Sequence, residues 1–425
     1  MKQYESQFRK LTEVGTVNRG KSKHRPRNAP ELYGGSYPFI QTGDVKHANF
    51  YITEYAQTYS EKGLAQSKLW QPGTLCITIA ANIADTAILK IPACFPDSII
   101  GFIPEKGKSE VRFIKYCLDT YKKEMQLISQ GTTQDNLSQG KLLSLRFRIP
   151  DYDQQQKIAA ILSAYDELIE NNQRRIALLE KMAEEIYREW FVRMRFPGHE
   201  KVKIVKGIPE GWSFDKASIF FNLAKGKSYA AEELTDDTGH MPFISLKSFN
   251  RGGGYREDGL KYYSGQYKPE QVIHQNDVVM AVTDMTQDRA VIGRVARMPD
   301  LGEKGAVISL DTVKLIPKNI HKTFLYAYMR HSGFANFIKE FANGANVLHL
   351  KPDLITQQKI IIPPIQLQNK FVSIAESLYA EADLLGKANT QLVKMRDMLL
   401  PRLISGKLSV EHLDIQFPPG MEDRP

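Results

Sequence analysis

The stretch "DQQQKIAAILSAYDELIENNQRRIALLEKMAEEIYREWFVRMR", Asp153 to Arg195, decides the architecture. It contains neither proline nor glycine, and apolar residues recur at alternating steps of four and three. The positions are Ile158, Leu162, Tyr165, Ile169, Asn172, Ile176, Leu179, Ala183, Ile186 and Trp190. That spacing keeps one stripe on one face of a helix, the seam of a coiled coil. Pro197-Gly198 is expected to stop the helix.

The partner of this seam lies in the same chain. An offset of 213 residues pairs "GTTQDNLSQGKLLSLRFRIPDYDQQQKIAAIL" from Gly131 with "GANVLHLKPDLITQQKIIIPPIQLQNKFVSIA" from Gly344. It matches Leu137 with Leu350, Ile149-Pro150 with Ile362-Pro363, and Lys157 with Lys370. Nearer the starts the offset falls to 204 ("PFI" at Pro38 and Pro242) and 206 ("RGKS" at Arg19, "KGKS" at Lys225). Shifted by 213, the seam becomes Phe371, Ala375, Leu378, Ala382, Leu385, Asn389, Leu392, Arg396, Leu399 and Leu403. Pro401 predicts a kink or a stop near its end. Each helix should be about 50–60 Å long.

Two matched helices, each after a matched globular part, are expected to pack on each other. If the halves are related by a pseudo-two-fold axis, the helices run antiparallel and hold the globular parts at opposite ends. Each seam has one asparagine, Asn172 and Asn389, symmetric about the seam's middle. Either the two meet mid-coil and fix antiparallel register, or each is separately solvated.

The expected organisation is a first domain at 1–150, a central helix at 151–197, a second domain at 198–363, a distal helix at 364–408 and a tail at 409–425. Runs such as "TLCITIAA", "AILKIPACF", "DVVMAVT" and "AVISLDTVKLIP" predict strands. "VRFIKYCLDTYKKEMQLI" and "TFLYAYMRHSGFANFIKEF" predict a helical segment in each half. The fold class is α/β, with mixed α+β domains, two long helices in an antiparallel coiled coil, and an internal pseudo-two-fold repeat.

With 425 residues, 42% hydrophobic and 25% charged, the composition is that of a globular chain. The formal charge of +9 points to an anionic partner. Cys76, Cys94 and Cys117 lack metal or redox spacing and read as buried thiols in a reducing compartment. With no signal region and no long apolar run, a cytoplasmic location and no membrane partner are expected.

One motif argues for catalysis. "GTVNRGKS", Gly15 to Ser22, fits the phosphate-loop pattern G-x-x-x-x-G-K-[ST] of nucleotidases. Such a loop must open a helix, and Pro26 and Pro30 oppose one here. The second copy keeps Gly226-Lys227-Ser228 but has Phe221 in place of Gly15, so the halves share only a basic turn. The nine histidines are scattered, with no metal-ligand spacing, and no catalytic constellation stands out.

The chain resembles the specificity subunits of type I restriction-modification systems, the HsdS family, over nearly its whole length. The resemblance rests on "GTTQDNLS", on Arg148 to Glu200, on "GIPEGW" at Gly207–Trp212, on "IIPPIQLQNKFVSIAESL", and on "MLLPRLISGKL" at Met398–Leu408. It implies two target recognition domains, each reading one half of a bipartite double-stranded DNA site. It implies helices that act as a ruler and dock two methyltransferase subunits, with restriction subunits joining the full complex. No enzyme activity and no cofactor is then expected on this chain. S-adenosylmethionine, and ATP with Mg²⁺ on restriction, would belong to the partners. A related restriction system with a different catalytic partner is the alternative, and a P-loop nucleotidase the remote one.

The helix at 153–195 is nearly neutral, with seven Lys/Arg against eight Asp/Glu. The densest basic cluster is "NRGKSKHRPR", with Arg19, Lys21, Lys23, Arg25 and Arg27, echoed more sparsely by Lys225 and Lys227. It is either a phosphate-contacting loop or a merely solvated one. Base readers should lie where the halves differ most. That selects Lys46, His47 and Asn49, then Lys247, Asn250, Arg251 and Tyr255, with ordinary surface loops as the alternative. The Gln134/Asn136 and Asn346/His349 turns are assigned a backbone or structural role first.

Overall fold

A computed structural model of the chain describes residues 8–48, 50–130, 137–418 and 421. The candidate reader Asn49 and the Gln134/Asn136 turn lie outside the described residues. The chain divides into two compact units, Met1–Asn172 with Ala388–Pro425, and Gln173–Lys387. The described helices of ten residues or more are α1 (Val111–Thr120), α2 (Tyr152–Tyr187), α3 (Lys322–His331) and α4 (Ile365–Ile404). Both long helices therefore contribute one segment to each unit, instead of standing apart as separate domains.

In the first unit the strands of the main sheet are β1 (Gly15–Arg19), β2 (Tyr51–Ile52), β3 (Leu75–Thr78), β4 (Thr86–Leu89) and β5 (Ile99–Pro104). They form a sheet in the order β1-β5-β3-β4-β2, antiparallel except for the β2–β4 pair. The run "LCIT" is buried along its whole length, as expected of a central strand covered on both faces. Phe113, Ile114, Cys117 and Leu118 of α1 are buried in the same core as Leu75, Ile77 and Ile100. All three cysteines are free and buried.

The second unit repeats this plan with β6 (Phe221–Lys225), β7 (Val278–Ala281), β8 (Val295–Arg297) and β9 (Thr312–Pro317), ordered β6-β9-β7-β8 and antiparallel. It adds a second, five-stranded sheet in which Met241–Ile244 runs parallel to Ala306–Ile308. In the first unit Tyr33–Phe39 pairs antiparallel with Gln57–Tyr59 and makes a single parallel bridge from Phe39 to Cys94. The parallel contact of Phe39 with Cys94 answers that of Phe243 with Val307, while the second unit's sheet is the more extended of the two.

Helices α2 and α4 are antiparallel within each unit. In the first, Asn172 Nδ2 donates to Asn389 Oδ1 at 2.9 Å, and Arg396 bonds Asp166. In the second, Arg175 pairs with Glu381 at 2.7 Å, and the Tyr187 and Phe371 rings are 5.7 Å apart. The two asparagines do meet; Asn389 also donates to Ile169 O at 3.3 Å.

The seam is less even than its spacing. Ile158, Leu162, Ile169, Asn172 and Ala183 are buried, whereas Tyr165, Ile176, Leu179, Ile186 and Trp190 are only half-buried. Burial along the stripe does not simply follow the globular cores: Ile169 and Asn172 are buried in mid-coil, while Ile186 and Trp190 stay half-buried although they pack against the second unit's core. Where globular core is added, burial widens to Gln155, Ala159 and Ser163 at one end of α2 and to Tyr187 and Phe191 at the other.

The helix ends also differ from expectation. Arg188–Val192 winds as a π-turn, so α2 stops before Pro197. The extra residue per turn aims Phe191 at Phe324 and Phe371, with ring centroids 5.0 and 5.4 Å away. Helix α4 passes through Pro401 and ends at Ile404, closed by Gly406 at φ 70.

A glutamine fastens each long helix to its sheet domain. Gln155 Oε1 accepts the Glu110 N–H (3.0 Å) just before α1, and its amide donates to Pro150 O (2.8 Å). Gln368 does the same with the His321 N–H (3.0 Å) before α3 and with Pro363 O (2.9 Å). Both side chains are buried, and they stand 213 residues apart.

Candidate nucleic-acid interface

The Gly-Lys-Ser turns come first, because a phosphate loop must offer unpaired backbone N–H groups. Here those of Gly20, Lys21, Lys23 and His24 are already engaged. Gly20 N–H donates to Ile99 O (2.9 Å), and Lys21 N–H to Phe95 O (3.1 Å). The N–H groups of Lys23 and His24 both donate to Gln66 Oε1 (2.6 and 3.1 Å). In the second unit Lys227 N–H donates to Ile308 O (2.7 Å). No helix begins directly after Ser22; the next is the three-residue turn of 3-10 helix at Pro30–Leu32.

The repeated glycine has a steric cause. A Cβ at Gly20 would lie 2.2 Å from Pro96 O, and one at Gly226 would lie 2.1 Å from Ser309 O. The motif marks a strand edge pressed against a neighbouring backbone, not a nucleotide cradle.

The basic cluster is partly neutralised. Arg27 makes a two-pronged bond to Asp97 (2.8 and 2.7 Å), and Arg19 bonds the Asp97 carbonyl. Arg25 turns back onto the carbonyls of Ser22 and His24, both at 2.8 Å. Lys21 and Lys23 are exposed and have no side-chain partner among the described residues. Lys225 is exposed at the end of β6, and Lys227 is half-buried.

Lys46 and His47 lie in the short helix Thr42–His47, and both are exposed. His47 Nδ1 is 2.6 Å from Gly43 O. Lys46 Nζ donates to Asn82 Oδ1 (3.2 Å) in the turn after β3, where Ala81 (φ 60) and Ala84 (φ 63) are left-handed. Such backbone costs about 1–2 kcal/mol per residue for a side chain other than glycine, and it clusters at functional sites. The turn borders a cavity of about 430 Å³ that Lys122 and Gln126 also line.

The matching turn after β7 carries Arg289 at φ 53. It is organised by the buried carboxylate of Asp284, which accepts from Thr286 N (2.9 Å), Val291 N (2.8 Å) and Ile292 N (3.1 Å). Burial pushes that carboxyl upward, but these bonds outweigh it and hold it below the ordinary range.

Arg251 is exposed and 3.8 Å from Asp288 of this turn. Lys247 is exposed on Leu246–Ser248. Asn250 and Tyr255 are placed differently. The Asn250 amide is bound to Tyr255 O (2.9 Å), and the Tyr255 hydroxyl is buried without a partner. In each unit, then, one candidate segment sits beside one strained turn, a pairing the sequence did not signal. Asn346 is exposed, and His349 exchanges backbone bonds with Asn343 (3.2 and 2.9 Å).

The comparisons agree with this plan. The family model for the type I restriction modification DNA specificity domain matches residues 3–181 and 209–394. The MjaIX type I restriction enzyme specificity subunit of Methanocaldococcus jannaschii is 27% identical over 95% of this chain and 94% of its own. The HindI specificity subunit of Haemophilus influenzae is 21% identical over 93% and 98%. The crystal structure of the S subunit of a type I system from M. genitalium superposes with a TM-score of 0.59 at 16% identity, covering 95% and 97%. Two sheet domains, each fastened by a glutamine to a long helix and together covered twice by one family model, show that the chain belongs to the type I restriction-modification DNA specificity family.

Proposed function

We propose that the chain is the non-catalytic DNA-reading subunit of a type I restriction-modification complex. Each sheet domain reads one half of a bipartite duplex site, while α2 and α4 set the spacing and dock two methyltransferase subunits. Restriction subunits complete the assembly. S-adenosylmethionine, and ATP with Mg²⁺ on restriction, are assigned to those partners. Among the described residues no helix is long and apolar enough to cross a membrane, and a DNA-reading role places the chain in the cytoplasm.

The observation that carries this reading is the duplicated plan with unlike edges. Both units share the sheet, the helix and the glutamine fastening, and differ at the segments around Lys46 and Arg251. Shared parts suit a partner bound twice; unlike parts suit two different half-sites. Co-expression with the cognate methyltransferase subunit, followed by genome-wide mapping of methylated adenine, tests it. A bipartite motif with an unspecified gap is expected. A continuous motif, or no methylation, overturns the assignment.

A further inference from the structure

In the second unit, three arginines near the 250–255 loop each have a carboxylate partner: Arg251 with Asp288, Arg289 with Glu340, and Arg297 with Asp383. Two others do not. Arg294 and Arg330 are half-buried, and neither forms an ion pair among the described residues. Arg294 Nε and Arg330 Nη1 are buried with no hydrogen-bond acceptor. Arg294 has one side-chain bond, from Nη2 to the neutral Asn336 Oδ1 at 2.8 Å.

Both border the loop "RGGGY", Arg251 to Tyr255. A Cβ at Gly253 would fall 2.9 Å from Arg330 Nη1 and 3.7 Å from Arg294 Cβ, so the loop lies over the Arg330 guanidinium and the root of the Arg294 side chain. Gly253 and Gly254 have φ of 104 and 91, so this loop exists only with glycine there. Burial lowers the affinity of Arg294 for its proton, and the neighbouring Arg330 charge lowers it further. Like charges brought together without a counter-ion imply an anion supplied from outside.

We propose that Arg294 and Arg330 form a phosphate-binding site beside the Gly252–Gly254 loop, where the solvent-facing part of these half-buried side chains grips one backbone phosphodiester of the bound duplex. The site rests on the DNA-reading assignment and deepens it. A phosphate held there positions the adjoining segment from Asn250 to Tyr255 against the duplex, without itself reading sequence.

Duplex binding by the full chain with its methyltransferase partner is measured against salt concentration for wild type, R294Q and R330Q. Each variant is expected to bind specific and random duplex about ten-fold more weakly, and to flatten the log–log salt slope by about 0.9. In parallel, inorganic phosphate should raise the unfolding midpoint of wild type above that in chloride at equal ionic strength, and not that of R294Q. Unchanged slopes in variants that fold, or a phosphate shift that persists in R294Q, overturn the site. If R330Q does not fold, R294Q with the phosphate arm decides. Failure of wild type to bind any duplex would instead sink the DNA-reading assignment, and the phosphate arm would still judge the site.

Discussion

At the scale of single residues, His331 is the clearest titrating switch. Burial lowers its pKa to about 3, with the Arg330 and Arg188 charges adding to the effect. Glu184 lies 3.8 Å away, and its partly exposed carboxylate does not offset the burial. The ring is therefore neutral, with its centroid 5.9 Å from that of Tyr187. Because the folded pKa lies below the unfolded value of 6.5, the unfolded chain binds the extra proton first. The stability this contributes is complete above pH 6.5 and is lost as pH falls toward 3. Within that window the loss approaches ~1.4 kcal/mol per pH unit. Denaturant melts at a series of pH values should show the steeper acid loss in wild type, and a shallower one in H331Q. Parallel curves would mean the ring is not a neutral buried group. Nothing in the sequence marked His331, because its burial comes from Tyr187 and its neighbours, far away in the chain.

At the scale of elements, the helix pair was the most legible feature. The four-three spacing fixed a stripe, the repeat supplied its partner, and the symmetry of Asn172 and Asn389 fitted antiparallel register. The hydrogen bond between them gives that register a physical basis, since a slipped pairing would bury both amides unpaired. N172A should lower stability by about 1–3 kcal/mol, because Asn389 Oδ1 loses its donor. The double variant N172L/N389L should recover that loss in a chemical melt, since it removes both partners together. A double variant as unstable as the single one would show that the amide pair is not the source. The helix ends were not legible. A π-turn at Arg188–Val192 answers to the rings of Phe324 and Phe371, and no local signal encodes it. Gln155 and Gln368 could have been found, since both stand in the aligned repeat at the same offset.

At the scale of the whole molecule, a formal +9 charge says that an anion is attracted, but not where. Of the five basic residues from Arg19 to Arg27, Arg19, Arg25 and Arg27 are bound within the chain, leaving Lys21 and Lys23 to solvent. K23A should therefore weaken duplex binding equally across sequences and reduce the salt slope by about 0.9. An unchanged slope would remove Lys23 from the contact surface.

The sequence by itself determined the duplication, the helix seam and the absence of a helix directly after Gly15–Ser22. These are properties of spacing and order along one dimension, set by periodic burial and by proline. Only the tertiary structure decided which charges are neutralised, why glycine is required at Gly20 and Gly226, and where unpaired arginines gather. Each of those depends on atoms brought together from distant parts of the chain: Asp97 on Arg27, Ser309 O on Gly226, and the Gly253–Gly254 backbone on Arg330.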